Sequence, residues 1–171
     1  MIFVKPGTVA LRTPGPEHRE RVREIVAATR VFRDDEVEIA LEVFESAVLA
    51  PGEDYTPVGA FDEEGHLLGF ACFGPTPCTV GTWDLYWIAV DPGAHRQGIG
   101  RRLSDRVEKQ IAEQGGRLIV AETSSRDDYG PTRAFYEALG YGVAARVPDF
   151  YAQNDDLVVY TKRLVSKGDR E

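Results

Sequence analysis

The segment that decides the fold reads Val90-Asp91-Pro92-Gly93-Ala94-His95-Arg96-Gln97-Gly98-Ile99-Gly100-Arg101-Arg102-Leu103. It passes from an apolar strand through a turn that contains glycine into a basic helix. Gly98 and Gly100 lack the Cβ atoms that would keep an anion from the first amides of the helix, where the macrodipole also favours negative charge. Arg96, Arg101 and Arg102 add positive charge nearby. The segment therefore predicts a phosphate-binding turn near the middle of the chain.

Length and charge limit the kind of protein that this chain can be. Its 171 residues, of which 43% are hydrophobic, are enough for one domain with a continuous core. We expect one domain over residues 1–171, with a core at about 8–164 and a charged tail at 165–171. The net charge of -8 argues against a nucleic-acid partner, because a polyanion is usually met by a basic face.

The cysteines and the apolar runs point to a reduced, non-membrane environment. Cys72 and Cys78 are too few for a disulfide framework and match no zinc-binding spacing, so we expect two buried thiols and no metal. The first residues lack the basic start and sustained apolar core of a signal peptide, and no apolar run is long enough to span a bilayer. We expect a cytoplasmic protein.

The apolar periodicity predicts an α/β fold. Strands are expected at residues 9–12, 56–61, 67–73, 82–90, 117–123, 141–146 and 157–161. Helices are expected through residues 22–29, from an N-cap at Asp34 or Asp35 to Pro51, at 98–114 and at about 131–139. The acidic stretch Asp149–Asp156 lies in the predicted loop between the last two strands, where it could attract a polyamine or aminoglycoside or only solubilise the loop. The order strand, helix, strand over residues 82–123 indicates a parallel crossover within a mixed sheet.

Two motifs resemble those of the GNAT family of N-acetyltransferases. The first, His95-Arg96-Gln97-Gly98-Ile99-Gly100, resembles the core motif of the family, which has Arg or Gln where this chain has His95. The second, Thr132–Tyr141, resembles the block in which a Phe-Tyr pair on a short helix is followed by Gly and an aromatic residue. The resemblance implies a mixed, mostly antiparallel sheet flanked by helices, with a parallel splay between the central strands.

The resemblance implies acetyl-coenzyme A as the cofactor, bound where the strand ending at Val90 splays from the strand ending at Thr123. Backbone groups of Ile88, Ala89 and Val90 would then pair with the pantetheine arm, as an added strand does. The pyrophosphate would lie on the turn formed by Arg96, Gln97, Gly98, Ile99, Gly100 and Arg101. Tyr129 stands where many family members have an asparagine that touches the pantetheine arm.

Two residues are the candidates for catalysis. In the family a tyrosine at the position of Tyr136 lies near the cofactor sulfur, and its phenol could protonate the departing thiolate; the alternative is a half-buried structural tyrosine. Asp84 falls where histone-type members have a glutamate that serves as general base. A water relay from Asp84 to the amine, or a structural hydrogen bond to a neighbouring loop, are both compatible with the sequence. Glu122 is the rival carboxylate.

The expected acceptor is a primary amine, and a small molecule is favoured. In the family the turn between the first two helices forms one wall of the acceptor site, which here contains Phe32 and Arg33; an arginine there could clamp an acceptor carboxylate or simply be solvated. Tyr86, Glu122 and Thr123 are the other candidates for contact with the acceptor.

Two other functions are compatible with the sequence. One is a module that senses acyl-coenzyme A without turnover, and the other is acetylation of a protein N-terminus or lysine. Family members are commonly dimers, so a homodimer is possible.

Overall fold

The computed structural model describes residues 7–95 and 97–165, and over these residues the elements follow the predicted order. The strands are β1 Ala10–Arg12, β2 Thr56–Phe61, β3 Leu67–Pro75, β4 Thr82–Val90, β5 Leu118–Ser124, β6 Gly142–Ala152 and β7 Asp155–Arg163. The helices are α1 Arg19–Ala28, α2 Asp34–Leu49, α3 Ile99–Glu113 and α4 Gly130–Ala138. Arg96 and most of the predicted tail, residues 166–171, lie outside the described residues.

The strands form one mixed sheet in the order β1-β2-β3-β4-β5-β7-β6. β2 and β3 pair antiparallel, and β5, β7 and β6 also pair antiparallel. β4 and β5 pair in parallel, with Thr82, Trp83 and Asp84 opposite Leu118, Ile119 and Val120. Both strands continue past this short register, to Val90 and Ser124. The predicted fold class, with a parallel splay in a mostly antiparallel sheet, is confirmed.

The chain divides into two compact units, and both β4 and α3 contribute to each of them. The first unit contains Trp87–Lys109 and the residues up to Gly74, and the second contains Pro75–Tyr86 and the residues from Gln110 onward. The prediction of a single domain over 1–171 stays a prediction. Among the described residues, no helix is long and apolar enough to cross a membrane.

The core of the first unit lies between its two N-terminal helices and its strands. Phe44 of α2 and Phe70 of β3 are fully buried and meet edge to face, with ring centroids 5.9 Å apart. Burial of each such ring contributes about 2–3 kcal/mol to stability. The helical residues of this core repeat at the spacing expected of amphipathic helices: Val22, Ile25, Val26, Val37, Ala40, Leu41, Phe44 and Ala47.

The predicted N-cap of α2 is wrong by one or two residues. Arg33 is the N-cap, with extended backbone, and its amide donates to the Glu36 side chain at 2.8 Å. Asp34, Asp35 and Glu36 occupy the first helical turn, where carboxylates are stabilised by the macrodipole without serving as the cap.

The second unit contains a long antiparallel hairpin where the sequence predicted an acidic loop. β6 extends to Ala152, and Asp149 and Asn154 adopt positive φ values of 52° and 63°. The Asp156 carboxylate accepts from the Asp149 amide at 2.9 Å and from Arg146 Nε at 2.6 Å. The loop interpretation is wrong because these acidic side chains bond the backbone of a kinked hairpin.

The two cysteines have different environments. Cys72 is buried in β3, and burial raises the pKa of its thiol to about 12, so it stays protonated and unreactive at neutral pH. Cys78 is exposed, so the prediction of a buried thiol is wrong at this position. Its backbone has a positive φ of 60°.

Candidate functional site

The predicted phosphate turn lies between the end of β4 and the start of α3. α3 begins at Ile99, and its first hydrogen bond runs from the Arg102 amide to the Gly98 carbonyl at 3.0 Å. The amides of Ile99 and Gly100 precede that bond, as expected of the first turn of a helix. Ile99 is buried and fixes the helix start, whereas Gln97 and Gly98 are exposed. The turn therefore presents backbone amides and a positive helix end to solvent.

Gly98 is required by backbone conformation. Its φ is 69°, in the region that side chains with a Cβ rarely adopt, and a Cβ at this position would meet no atom of the described residues, its chain neighbours aside, within 4 Å. Among the residues that the structure describes, none outside the turn itself therefore fills the space above Gly98. An anion can approach the helix start there, which meets the steric condition that a pyrophosphate requires.

The arginines around the turn differ in what they bind. Arg96 lies outside the described residues. Arg101 is exposed, and the Arg102 guanidinium donates to the Val9 carbonyl at 2.6 Å. Arg106, one turn later, donates to the Leu11 carbonyl at 3.3 Å. The charge of Arg102 is therefore used to fasten α3 to the chain around β1, a role that the sequence did not indicate.

Asp91 braces the turn, and sequence reasoning did not identify it. Its carboxylate accepts from the Gly93 amide at 2.8 Å and forms an ion pair with Arg21 of α1. Arg21 also donates from Nε to the Leu67 carbonyl at 3.0 Å. Burial by itself would raise the pKa of Asp91, but the Gly93 amide and the Arg21 guanidinium hold it below its ordinary value. An aspartate before proline is a cap signal that could have pointed to this residue.

His95 lies back toward the strand. Its Nε2 is 3.2 Å from the Val90 carbonyl, and its side chain is exposed. His95, which stands where the family motif has Arg or Gln, thus contacts the backbone of Val90, the last residue of β4. Of the predicted pantetheine contacts on β4, Ala89 is buried, and Ile88 and Val90 are half-buried.

Replacing Asp91 with asparagine should lower the free energy of unfolding by about 1 kcal/mol at neutral pH. Because the folded pKa of Asp91 lies below its ordinary value, its carboxylate stabilises the fold above that value, and the effect is lost as pH falls through the folded pKa. Urea titrations at about pH 7 and about pH 3 should therefore show a difference from wild type that shrinks at low pH. The exposed Asp105→Asn serves as the control, and a pH-independent difference would contradict the assignment.

Tyr136 lies in an aromatic cluster of the second unit. It projects from α4, is only 5% exposed, stacks on Tyr160 with ring centroids 5.9 Å apart, and meets Tyr141 edge on at 5.2 Å. Burial raises the pKa of its phenol well above the ordinary value. The hydroxyl therefore keeps its proton at neutral pH, as a proton donor must.

Asp84 and Glu122 are the two carboxylates of interest in the second unit. Asp84 is half-buried and accepts from the Thr76 hydroxyl at 2.7 Å, so the structural hydrogen bond considered for it is present. Glu122 is exposed, yet partial desolvation raises its pKa, and the negative charge of Asp84 raises it further. The charge of Asp84 therefore favours the protonated form of Glu122.

The remaining candidates differ in how their polar groups are engaged. Thr123 is buried, and its hydroxyl donates to the Val158 carbonyl at 2.8 Å. Tyr129 is buried beneath the Arg126 guanidinium, which lies 5.2 Å from its ring centroid. Tyr86 is 38% exposed.

The first unit holds the candidates from the turn between α1 and α2. Phe32 packs on the Trp87 ring at 5.0 Å, and Arg33 Nε pairs with Asp35 at 3.2 Å. Arg33 is therefore ion-paired in this structure, and its contact with an acceptor stays a prediction.

The chain belongs to the GNAT family of acetyltransferases. The model of the Acetyltransferase (GNAT) family matches residues 19–141, a span that includes the turn at Gly98 and the Phe-Tyr pair of α4. The resemblance drawn from the two sequence motifs is confirmed.

Curated relatives cover different parts of the chain. It is 28% identical over 153 residues to the mycothiol acetyltransferase of Segniliparus rotundus, covering 84% of this chain and 55% of that protein. It is 39% identical over 67 residues to the blasticidin-S acetyltransferase of Streptomyces morookaense, covering 39% of this chain and 46% of that protein. The chain thus spans about half the length of these curated relatives.

A solved structure of a GNAT-family protein from Desulfovibrio desulfuricans shares the fold over nearly the whole chain. The TM-score is 0.85 at 38% identity, covering 92% of this chain and all of the other. A Salmonella typhimurium protein solved with its cofactor acetyl-CoA superposes with a TM-score of 0.72 at 20% identity, covering 96% of this chain and 98% of that one, a likeness that shows the fold.

Proposed function

We propose that the protein is an acetyl-coenzyme A-dependent N-acetyltransferase that acetylates a primary amine of a small molecule by direct attack within a ternary complex. The observation that carries the proposal is the Gly98 turn at the start of α3, in a chain of the GNAT family. Acetyl-coenzyme A would supply the activated acetyl group. The predicted homodimer and the cytoplasmic location stay predictions.

The residues of the turn fit the phosphates of this cofactor. The backbone amides of residues 97–101, at the start of α3, would bind the pyrophosphate. The space above Gly98 would admit it. The backbone of Ile88, Ala89 and Val90 would bind the pantetheine arm. The ion pair of Asp91 with Arg21 would hold the turn in this conformation before the cofactor arrives, which reduces the ordering cost of binding.

Proton transfer would use residues of the second unit. The Tyr136 phenol, which is protonated at neutral pH as any tyrosine is, would give its proton to the thiolate as the C–S bond breaks. Asp84 would take a proton from the attacking amine, directly or through water. Glu122 is the second candidate for this role, since its raised pKa moves it toward the neutral range in which a general base works best.

Several features support a small amine as the acceptor. Two relatives are named for blasticidin S and mycothiol, although the match also extends to an Escherichia coli enzyme named for the alanine of ribosomal protein bS18. The interacting carboxylates Asp84 and Glu122 would favour a cationic amine. Tyr86 is exposed on the same strand face as Asp84 and would contact the acceptor.

Replacing Asp84 with asparagine should lower kcat/KM by about 10-fold, most strongly near pH 6, where a protonated amine needs a base. Higher activity of Asp84→Asn than of wild type at low pH would instead identify Glu122 as the base. Without the negative charge of Asp84 the pKa of Glu122 falls, so the acid limb of the pH profile would move to lower pH and activity there would rise. Thr76→Val, which removes only the hydroxyl bonded to Asp84, is the control.

A thiol-release assay with acetyl-coenzyme A tests the proposed function. The panel contains amino acids, polyamines, aminoglycosides and peptides with free N-termini. Saturable thiol release with a small amine is the expected result. Release with peptides alone would favour a protein acetyltransferase, whereas saturable cofactor binding without release over the whole panel would favour a sensing module.

A further inference from the structure

One arginine ties the start of α4 to the end of β5. Arg133 Nη1 donates to the Ser124 carbonyl at 2.6 Å and to the Arg126 carbonyl at 2.9 Å. Ser124 is the last residue of β5, and Arg126 precedes the short turn that leads into α4. The half-buried guanidinium of Arg133 thus bridges two carbonyls of the segment that leads into α4, the helix to which Arg133 belongs.

Ser124, whose carbonyl accepts one of these hydrogen bonds, is itself held in place by its side chain. Ser124 is buried, its hydroxyl donates to the Asp155 carboxylate at the start of β7, and its Oγ accepts the Arg126 amide at 3.1 Å. Asp155 is only 6% exposed. Ser124 therefore joins β5, β7 and the turn before α4, and Arg133 connects the helix to that junction.

Tyr136 lies three residues after Arg133 and so is its neighbour along the helix surface. The Tyr136 ring stacks on Tyr160, whose hydroxyl donates to Glu137 Oε1 of α4 at 2.9 Å. The helix is thus held at its start by Arg133 and near its end by Tyr160. Loss of either contact would let the helix shift and move the Tyr136 hydroxyl, and displacements near 1 Å are enough to slow catalysis by about 100-fold.

We propose that Arg133 is a positioning residue, which places the Tyr136 hydroxyl without touching substrate or cofactor. The proposal rests on the proposed function, in which Tyr136 donates a proton. A lysine would restore it only in part, because its side chain is shorter and lacks the planar guanidinium that reaches both carbonyls.

A double-mutant cycle tests this role through thiol release. Arg133→Met should lower kcat by about 10-fold and leave KM for acetyl-coenzyme A within about 2-fold, with Arg133→Lys intermediate. In a Tyr136→Phe background, Arg133→Met should change kcat by less than about 2-fold, because no hydroxyl remains to be placed. Equal losses in both backgrounds, or a wild-type kcat in Tyr136→Phe alone, would overturn the proposal.

A matched control and a second readout complete the test. Arg117, also in the second unit, donates to the Val80 carbonyl at 2.8 Å, and Arg117→Met should leave kcat unchanged. Hydrogen exchange needs no acceptor: the peptide that contains Tyr136 should exchange faster in Arg133→Met than in Arg117→Met, and equal exchange would overturn the proposal. Absence of thiol release by the wild type would instead refute the proposed function, while the exchange result still decides whether Arg133 fixes the helix.

Discussion

Replacing Tyr136 with phenylalanine is expected to lower kcat by about 100-fold while KM for acetyl-coenzyme A stays within about 2-fold. The substitution keeps the ring that stacks on Tyr160 and removes only the hydroxyl. A phenol carries its proton throughout the neutral range, and burial, which raises the pKa of Tyr136, keeps it in that form, so a proton is present for the leaving thiolate. A group that acts only in the transition state affects kcat and leaves ground-state binding nearly unchanged.

The neighbouring Tyr141 provides the control for this prediction. It is buried in the same cluster, with its ring 5.2 Å from that of Tyr136, so Tyr141→Phe removes a hydroxyl from similar surroundings. We expect kcat of Tyr141→Phe within about 2-fold of wild type. Steady-state kinetics that show equal kcat in all three proteins would remove Tyr136 from the reaction.

Replacing Gly98 with valine is expected to raise KM for acetyl-coenzyme A by at least about 10-fold. At a φ of 69° a β-branched residue is strained by about 1–2 kcal/mol, and its side chain would enter the open space above the helix start. Both effects would keep a pyrophosphate away from the amides of α3. Titration calorimetry with acetyl-coenzyme A measures the same loss directly as a higher Kd.

Gly115 offers a matched control at the other end of α3. Its φ is 77°, and a Cβ there would also meet no atom of the described residues within 4 Å, its chain neighbours aside, so Gly115→Val imposes a similar strain. The two variants should lose comparable free energy of unfolding, and only Gly98→Val should lose cofactor affinity. An unchanged Kd in Gly98→Val, or equal loss of affinity in both, would mean that the phosphates bind elsewhere.

Features that depend on nearby residues could be predicted from the sequence. β2 at 56–61 and β4 at 82–90 match their predicted bounds because short apolar runs with β-branched and aromatic residues, flanked by turn residues, mark strands locally. The helix at 98–114 begins one residue later, since Gly98 takes a left-handed conformation that a helix excludes. The two motifs were sufficient to indicate the family, because each combines residue type with position on an element.

Contacts between distant residues could not be predicted in the same way. Arg21 binds Asp91, 70 positions away, and Arg102 binds a carbonyl 93 positions away. Neither arginine differs in sequence from one that is solvated on a helix surface. The hydrogen bond from Arg133 to Ser124 is accepted by a backbone carbonyl. Every residue has such a carbonyl, so the residue type does not indicate the contact. Such contacts become visible only when the fold brings their elements together.

The most direct measurement follows the acetyl group itself. The wild-type protein is incubated with acetyl-coenzyme A and each amine of the panel, and mass spectrometry of the amine is compared with the thiol released. We expect one acetylated amine for each thiol, with a small amine as the best acceptor and with the initial rates of both signals lowered by about 10-fold or more in Gly98→Val at limiting cofactor. Saturable binding of acetyl-coenzyme A with no acetylated product from any amine or peptide would contradict it.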